Sequence, residues 1–93
     1  MVSVRKLRWS PANVSHIARH GVTPAEVEAV CHGEHVALQS RDWRLVLIGM
    51  TPASRFITAV IEPEGEEAYC VVTARPASRR ERAYYRQETG NPT

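Results

Sequence analysis

The sequence lacks the features that mark membrane, secreted and disulfide-stapled proteins. No apolar run approaches the ~20 residues that a membrane-spanning helix needs. The basic start of the chain is not followed by the hydrophobic segment of a signal peptide. Only two cysteines are present, Cys31 and Cys70, both among apolar residues, and we expect free thiols in a reducing cytoplasm. These absences favour a cytoplasmic protein with no membrane partner.

The chain also lacks internal repeats, linkers and an extreme charge. Its 93 residues allow one domain, which we expect to span residues 1–93. The net charge of +2 excludes a generic polycation, so the distribution of the charges matters more than their sum. Basic residues cluster near both ends of the chain, and four glutamates crowd the stretch from Glu62 to Glu67.

Capping signals predict three helices. Ser10 and Thr23 are each followed by proline, the arrangement that favours a helix start. Ser78 lies three residues before Glu81, which is the spacing of a capping box. Glycines suit the ends of the first two helices. The predicted helices are Pro11–His20, Thr23–His32 and Ser78–Glu88.

Between the second and third helices the hydrophobic period changes to that of strands. We predict four strands, at His35–Ser40, Arg44–Met50, Arg55–Glu62 and Ala68–Ala74. Their connections are so short that neighbours must be antiparallel. Residues 1–9 fit either an edge strand or an extended arm. The predicted fold is α+β, in the order α-α-β-β-β-β-α, with a four-stranded antiparallel sheet packed by helices.

The segment from Arg75 to Arg86 carries the strongest functional signal. It contains five arginines and one glutamate, a local charge of +4. Arg79 and Arg80 fall in the first helical turn, where the helix dipole favours acids. They indicate either an anionic partner or a solvated basic face.

A metal site is one interpretation of the histidines. His16 and His20 are separated by four residues, a spacing at which two imidazoles can share a metal, and Cys31, His32 and His35 follow. However, Ile17 stands where the metalloprotease pattern has glutamate, and no paired-cysteine knuckle is present. We therefore expect neither a metal ion nor another cofactor.

Metal-independent cleavage of RNA is the second interpretation. A base can remove the 2′-hydroxyl proton, the oxygen attacks phosphorus, and an acid protonates the leaving 5′-oxygen. Imidazoles near neutral pH and arginine forks suit these tasks. We predict His16, His20, Arg75 and Arg79 as the catalytic group, converging across the sheet.

A module that binds nucleic acid or protein without chemistry is the third interpretation. Aromatic residues interleave with the basic ones, and bases of single-stranded nucleic acid stack on such rings. The aromatic residues concerned are Trp9, Trp43, Tyr84 and Tyr85. His16 and His20 can equally be packing residues.

Several motifs occur in order along about three-quarters of the chain. They are Trp9-Ser-Pro-Ala-Asn13, His20-Gly-Val22, Ile48-Gly49, Arg55, Thr73-Ala-Arg75, Ala77-Ser78, Arg80-Glu81 and Tyr85. In these motifs the sequence resembles the BrnT family of bacterial toxins, the ribonuclease partners in type II toxin–antitoxin pairs.

The resemblance implies a RelE-like microbial ribonuclease fold, RNA as substrate, and a cognate DNA-binding antitoxin, typically of the ribbon-helix-helix type. The matching positions that can act are His20, Arg55, Arg75, Arg80 and Tyr85. We expect His20 to be the general base or acid, with His16 as its partner. Arg75 and Arg79 would hold the scissile phosphate, and Lys6, Arg55 and Arg80 the flanking RNA backbone. Tyr85 would stack on a base or pack the last helix.

Overall fold

Three helices and five strands build the fold in the computed structural model, which describes residues 2–40 and 42–90. Along the chain they are β1 (Lys6–Arg8), α1 (Pro11–Ala18), α2 (Pro24–His32), β2 (His35–Gln39), β3 (Leu45–Met50), β4 (Phe56–Gly65), β5 (Ala68–Pro76) and α3 (Arg79–Thr89). The strands form one sheet in the order β1-β5-β4-β3-β2. No helix in the described ranges has both the length and the apolar character needed to cross a bilayer.

The α+β class and the order of the last four strands are confirmed, but the prediction of a four-stranded, wholly antiparallel sheet is wrong. A fifth strand, β1, pairs in parallel with β5, placing Leu7 opposite Tyr69. Only Leu7 of its three residues is buried, so the strand is too short to show a period. Its partner strand lies some 60 residues further along the chain, and a local sequence pattern cannot predict a pairing over that distance.

The capping signals are confirmed at all three helix starts. Ser10, Thr23 and Ser78 are the N-caps, and the last two form complete capping boxes. Helix α1 ends at Ala18, earlier than predicted, because the chain tightens into a turn with bonds such as His20 N–H to Ile17 O. That turn closes at Gly21, whose φ of +74° suits glycine.

Both faces of the sheet are covered by helices. On one face Ile57, Ala59 and Ile61 pack with Ile17 of α1 and the buried side of α2. On the other face, Tyr85 of α3 packs on Ile48, with Phe56 beside it. The cysteines are unpaired: Cys31 is buried and Cys70 half-buried.

Candidate functional site

Arg75 near the end of β5 is held by the first turn of α3. Its Nη1 and Nη2 atoms each donate to a carboxylate oxygen of Glu81, at 2.7 Å. The same carboxylate accepts from the Ser78 N–H at 2.8 Å and from the hydroxyl of Thr58 at 3.0 Å. The hydrogen bonds from Arg75 are the main reason why the pKa of Glu81 falls to about 2. Arg75 is thus fixed as a cation, with its side chain still 45% exposed.

A second arginine is held in the same way at the start of α2. The Nη1 atom of Arg55 donates to both oxygens of Glu26, at 3.0 and 2.9 Å, and Glu26 also closes the capping box with Thr23. Burial acts to raise the pKa of Glu26, but the bonds from Thr23 and Arg55 outweigh it and lower the pKa. Each capping glutamate therefore does two tasks: it closes a helix start and orients an arginine that comes from a strand.

The two held arginines lie at the same end of the sheet. Pro76 of β5 is opposite Ile57 of β4, and the Ala77 N–H donates to the Phe56 carbonyl at 3.0 Å. Arg55 is the residue before Phe56, so its backbone lies beside the start of α3. We call this end of the sheet, with the side chains of His20, Arg55, Arg75 and Arg79, the arginine edge.

The turn after α1, which carries His20, lies beside Arg55 of the arginine edge. The Nη2 atom of Arg55 lies 3.7 Å from the position that a β-carbon would take on Gly21, the next residue. The ring of His16 meets that of His20 edge to face, with centroids 5.2 Å apart. Both imidazoles are exposed, so each is open to a ligand. The structure therefore brings His16 and His20 together and places Arg55 beside the turn that follows them.

The histidines and Arg75 occupy opposite faces of the sheet. Arg75 is directly opposite Thr58 in the β4–β5 pair, and directly opposite residues share a face. Thr58 bonds Glu81 of α3, whereas α1 packs on the other face through Ile17. The two groups do not converge across the sheet, and only around its end, where Arg55 lies, can one ligand meet both.

The remaining predicted residues are spread more widely. Arg79 and Arg80 are exposed in the first turn of α3, and neither forms an ion pair with another residue of the described ranges. Lys6 is exposed on β1 opposite Ala68, about 20 Å along β5 from Arg75. Any RNA that touches both Lys6 and Arg75 must therefore run along the sheet.

Tyr85 is 5% exposed. Its ring packs edge to face on Phe56, with centroids 5.5 Å apart, and its hydroxyl donates to Glu34 at 3.1 Å. Burial raises the pKa of the Tyr85 hydroxyl above its ordinary value. Of the two roles considered, packing of the last helix is the one this conformation allows. Tyr84, half-buried beside it, offers more ring surface to solvent.

The other two histidines hold the N-terminal arm. His32 contacts the Val4 carbonyl at 3.0 Å and Glu28 at 2.8 Å. His35 is buried, and its Nε2 atom accepts from the Val2 N–H at 3.1 Å. Within the ranges 2–40 and 42–90, no three histidine, cysteine or acidic side chains group as metal ligands.

The sequence patterns did not predict the two glutamates that hold the arginines of the site, Glu26 and Glu81. The capping box of Ser78 and Glu81 is predicted, but the partnership of Glu81 with Arg75 is not. The pairing of Glu26 with Arg55 and the bond from Thr58 to Glu81 are not predicted either. The capping-box spacing was the available signal, since a carboxylate at a helix start is also positioned to receive an arginine from a neighbouring strand.

Chemically, the arginine edge is suited to a phosphate group. A guanidinium has five N–H donors, and Arg75 gives two of its nitrogens to Glu81 while Arg55 gives only Nη1 to Glu26. N–H donors therefore remain free on both Arg55 and Arg75. With each arginine already fixed, little side-chain entropy is lost when a phosphate binds.

Comparison with known proteins identifies one informative neighbour. The chain is similar to the crystal structure of the Brucella abortus ribonuclease toxin BrnT, with a TM-score of 0.64 and 28% identity. The match covers 80% of this chain and 97% of that one. No protein-family model and no curated protein match the sequence. The resemblance to BrnT seen in the sequence motifs is thereby confirmed by the fold.

Proposed function

We propose that this BrnT-like protein is a metal-independent endoribonuclease, the toxin of a type II toxin–antitoxin pair acting in the cytoplasm, and that it halts translation by cutting RNA. The observation that carries the proposal is the contact of Arg55 with the turn that bears His20, at the sheet end where Arg75 also lies. A titratable group and fixed cations are what cleavage by the 2′-hydroxyl requires. The likeness to a ribonuclease toxin agrees with this chemistry.

In the proposed reaction His20 removes the 2′-hydroxyl proton, with His16 as its partner. The 2′-oxygen forms a bond to phosphorus, the bond to the 5′-oxygen breaks, and a proton is delivered to that leaving oxygen. The products are a 2′,3′-cyclic phosphate and a 5′-hydroxyl. Arg55, on the histidine side, binds the scissile phosphate and its developing charge, and Arg75 and Arg79 bind the neighbouring backbone where the RNA passes around the end of the sheet.

The flanking RNA backbone would be held by exposed cations outside the arginine edge. Arg80 lies beside Arg79 on α3, and Lys6 lies further along the sheet on β1. Such contacts add affinity and not rate, so we expect their loss to raise KM and to reduce the salt dependence of binding.

The test is cleavage of end-labelled RNA by purified protein in the presence of a chelator. We expect His20→Ala to slow cleavage about 10²–10⁴-fold and Arg55→Ala about 10²–10³-fold, with a smaller effect of Arg75→Ala. Matched controls are His32→Gln and Arg5→Ala, which change residues of the same types away from the edge. Wild-type rates in His20→Ala and Arg55→Ala would refute the assignment. Salt-dependent binding without cleavage by the wild type would instead favour the non-catalytic module.

We further propose a cognate antitoxin, DNA-binding and of the ribbon-helix-helix type, whose acidic segment covers the arginine edge. Charge complementarity supports the location, because Arg79 is exposed at this edge and Arg55 and Arg75 keep N–H donors that their glutamates do not use. The measurement is binding of the co-expressed antitoxin to Arg79→Glu and to the control Arg5→Glu. A partner that binds both equally, and leaves RNA access open, would exclude this mode of neutralisation.

A further inference from the structure

An apolar cleft lies beside the arginine edge, between the first turns of α2 and the turn that joins β3 to β4. Its volume is ≈290 Å³, at the lower end of the range seen for ligand pockets. It is lined by Ala25, Glu26, Ala29, Thr51, Pro52 and Ala53. The walls are thus mainly methyl groups and a proline ring, a surface suited to a flat apolar group of modest size.

Both walls of the cleft are bonded directly to Arg55. On the helix side, the Glu26 carboxylate receives the Arg55 guanidinium. On the turn side, the Thr51 hydroxyl accepts from the Arg55 N–H at 3.1 Å, and the Thr51 N–H donates to the Arg55 carbonyl at 2.9 Å. The cleft and the free nitrogens of Arg55 are therefore adjacent, and the spacing between them is fixed.

The hydrogen-bond donors at the mouth of the cleft indicate what occupies it. Glu26 is the one ionisable residue of the lining, and its carboxylate is paired with Nη1 of Arg55. The Nη2 atom of Arg55 makes no bond to Glu26 and lies beside the turn after His20, so the mouth offers guanidinium N–H donors to an anion while the walls are apolar. An occupant with a planar apolar part joined to an anion matches both features, and a neutral apolar side chain matches only one.

We propose that this cleft binds a nucleobase, that of the nucleotide whose phosphate contacts Arg55. The inference rests on the proposed function, since it assigns a base subsite next to the scissile phosphate. The base lies against the methyl groups of Ala25 and Ala29 on one side and against Pro52 and Ala53 on the other. Its ribose and phosphate leave the cleft toward Arg55 and His20.

Alanine methyl groups in the cleft provide a direct test by NMR. The protein is labelled with ¹³C at alanine methyls and titrated with 2′-deoxy trinucleotides of each base, which cannot be cleaved through a 2′-hydroxyl. We expect ring-current shifts at Ala25, Ala29 and Ala53. The exposed Ala12 and Ala83, on other helices, serve as controls. Inorganic phosphate should leave all five methyls unchanged.

The result that overturns the inference is the absence of these shifts with every trinucleotide, or equal shifts with phosphate alone. Shifts produced by an apolar peptide from the partner, and not by nucleotides, would also overturn it and make the cleft a protein-docking site. Methyl shifts in a protein that does not cleave RNA would refute the nuclease and support the base subsite.

Filling the cleft gives a second, functional test. Ala25 and Ala53 are exposed, so Ala25→Leu and Ala53→Leu extend into the cleft without disturbing the core. We expect KM for RNA to rise about tenfold with kcat nearly unchanged, because the arginine edge is intact. Ala83→Leu, an exposed alanine of α3, is the matched control. Cleavage by Ala25→Leu and Ala53→Leu with wild-type KM would contradict the proposal.

Discussion

The ion pair between Glu81 and Arg75 makes a measurable contribution to stability, and Glu81→Gln removes it. The single amide oxygen of glutamine can still accept from the Ser78 N–H and the Thr58 hydroxyl, so the capping box survives. The charge is lost, together with the hydrogen bond that Arg75 Nη2 donates to the second carboxylate oxygen. Lowering the pKa of Glu81 from 4.5 to about 2 corresponds to about 3 kcal/mol at neutral pH. Because the Arg75 side chain is 45% exposed, water screens the pair, and we expect about 1–2 kcal/mol.

The dependence of the unfolding free energy on pH tests whether this ion pair stabilises the fold. A carboxyl whose folded pKa is depressed stabilises the fold fully above its unfolded pKa, and the contribution is lost as pH falls through the folded value. The wild type should therefore exceed Glu81→Gln in unfolding free energy at pH 7, and the difference should shrink between pH 4.5 and about 2. Urea unfolding at several pH values measures it. Glu88→Gln, an exposed charge on the same helix, is the control. Equal stability at pH 7, or a difference that persists below pH 2, would refute the reasoning.

Gly49, Tyr85 and His35 offer three simpler tests by urea unfolding. A β-carbon on Gly49 would lie 2.9 Å from the Glu34 carbonyl oxygen, so Gly49→Ala should lose about 1–3 kcal/mol by overpacking; unchanged stability would contradict the close contact. Tyr85→Phe removes only the bond to Glu34 and should lose about 1 kcal/mol; a loss several times larger would mean that the ring itself has moved. Burial lowers the pKa of His35 in the folded protein. As the pH falls, His35 is therefore protonated in the unfolded chain before it is protonated in the folded one. The free energy of unfolding should decline as the pH falls below about 6.5. His35→Gln should flatten that decline, and an identical slope in both proteins would exclude His35 as its source.

Local patterns were sufficient for most of the fold. Helix starts depend on a few adjacent residues, and Ser10, Thr23 and Ser78 were found because a cap and its partner lie within one turn. Strand β1 cannot be predicted from local patterns, because three residues give no period and its parallel partner lies near the other end of the chain. Trp43 shows the same limit: its ring was a candidate for stacking, and only the structure reveals that it is 77% exposed in a hairpin at φ 64°.

The candidate site, like the fold, could be predicted from the sequence only in part. The sequence determined which groups are present: two imidazoles four residues apart, arginines at the end of a strand, and glutamates at helix starts. Tertiary structure decided which of them meet. Arg55 and Glu26 are 29 residues apart in the chain and bonded in the fold, whereas His20 and Arg75 are separated by the sheet itself. Such partners are chosen by strand order and by the faces on which the helices pack, and both arise from burying apolar surface over the whole chain.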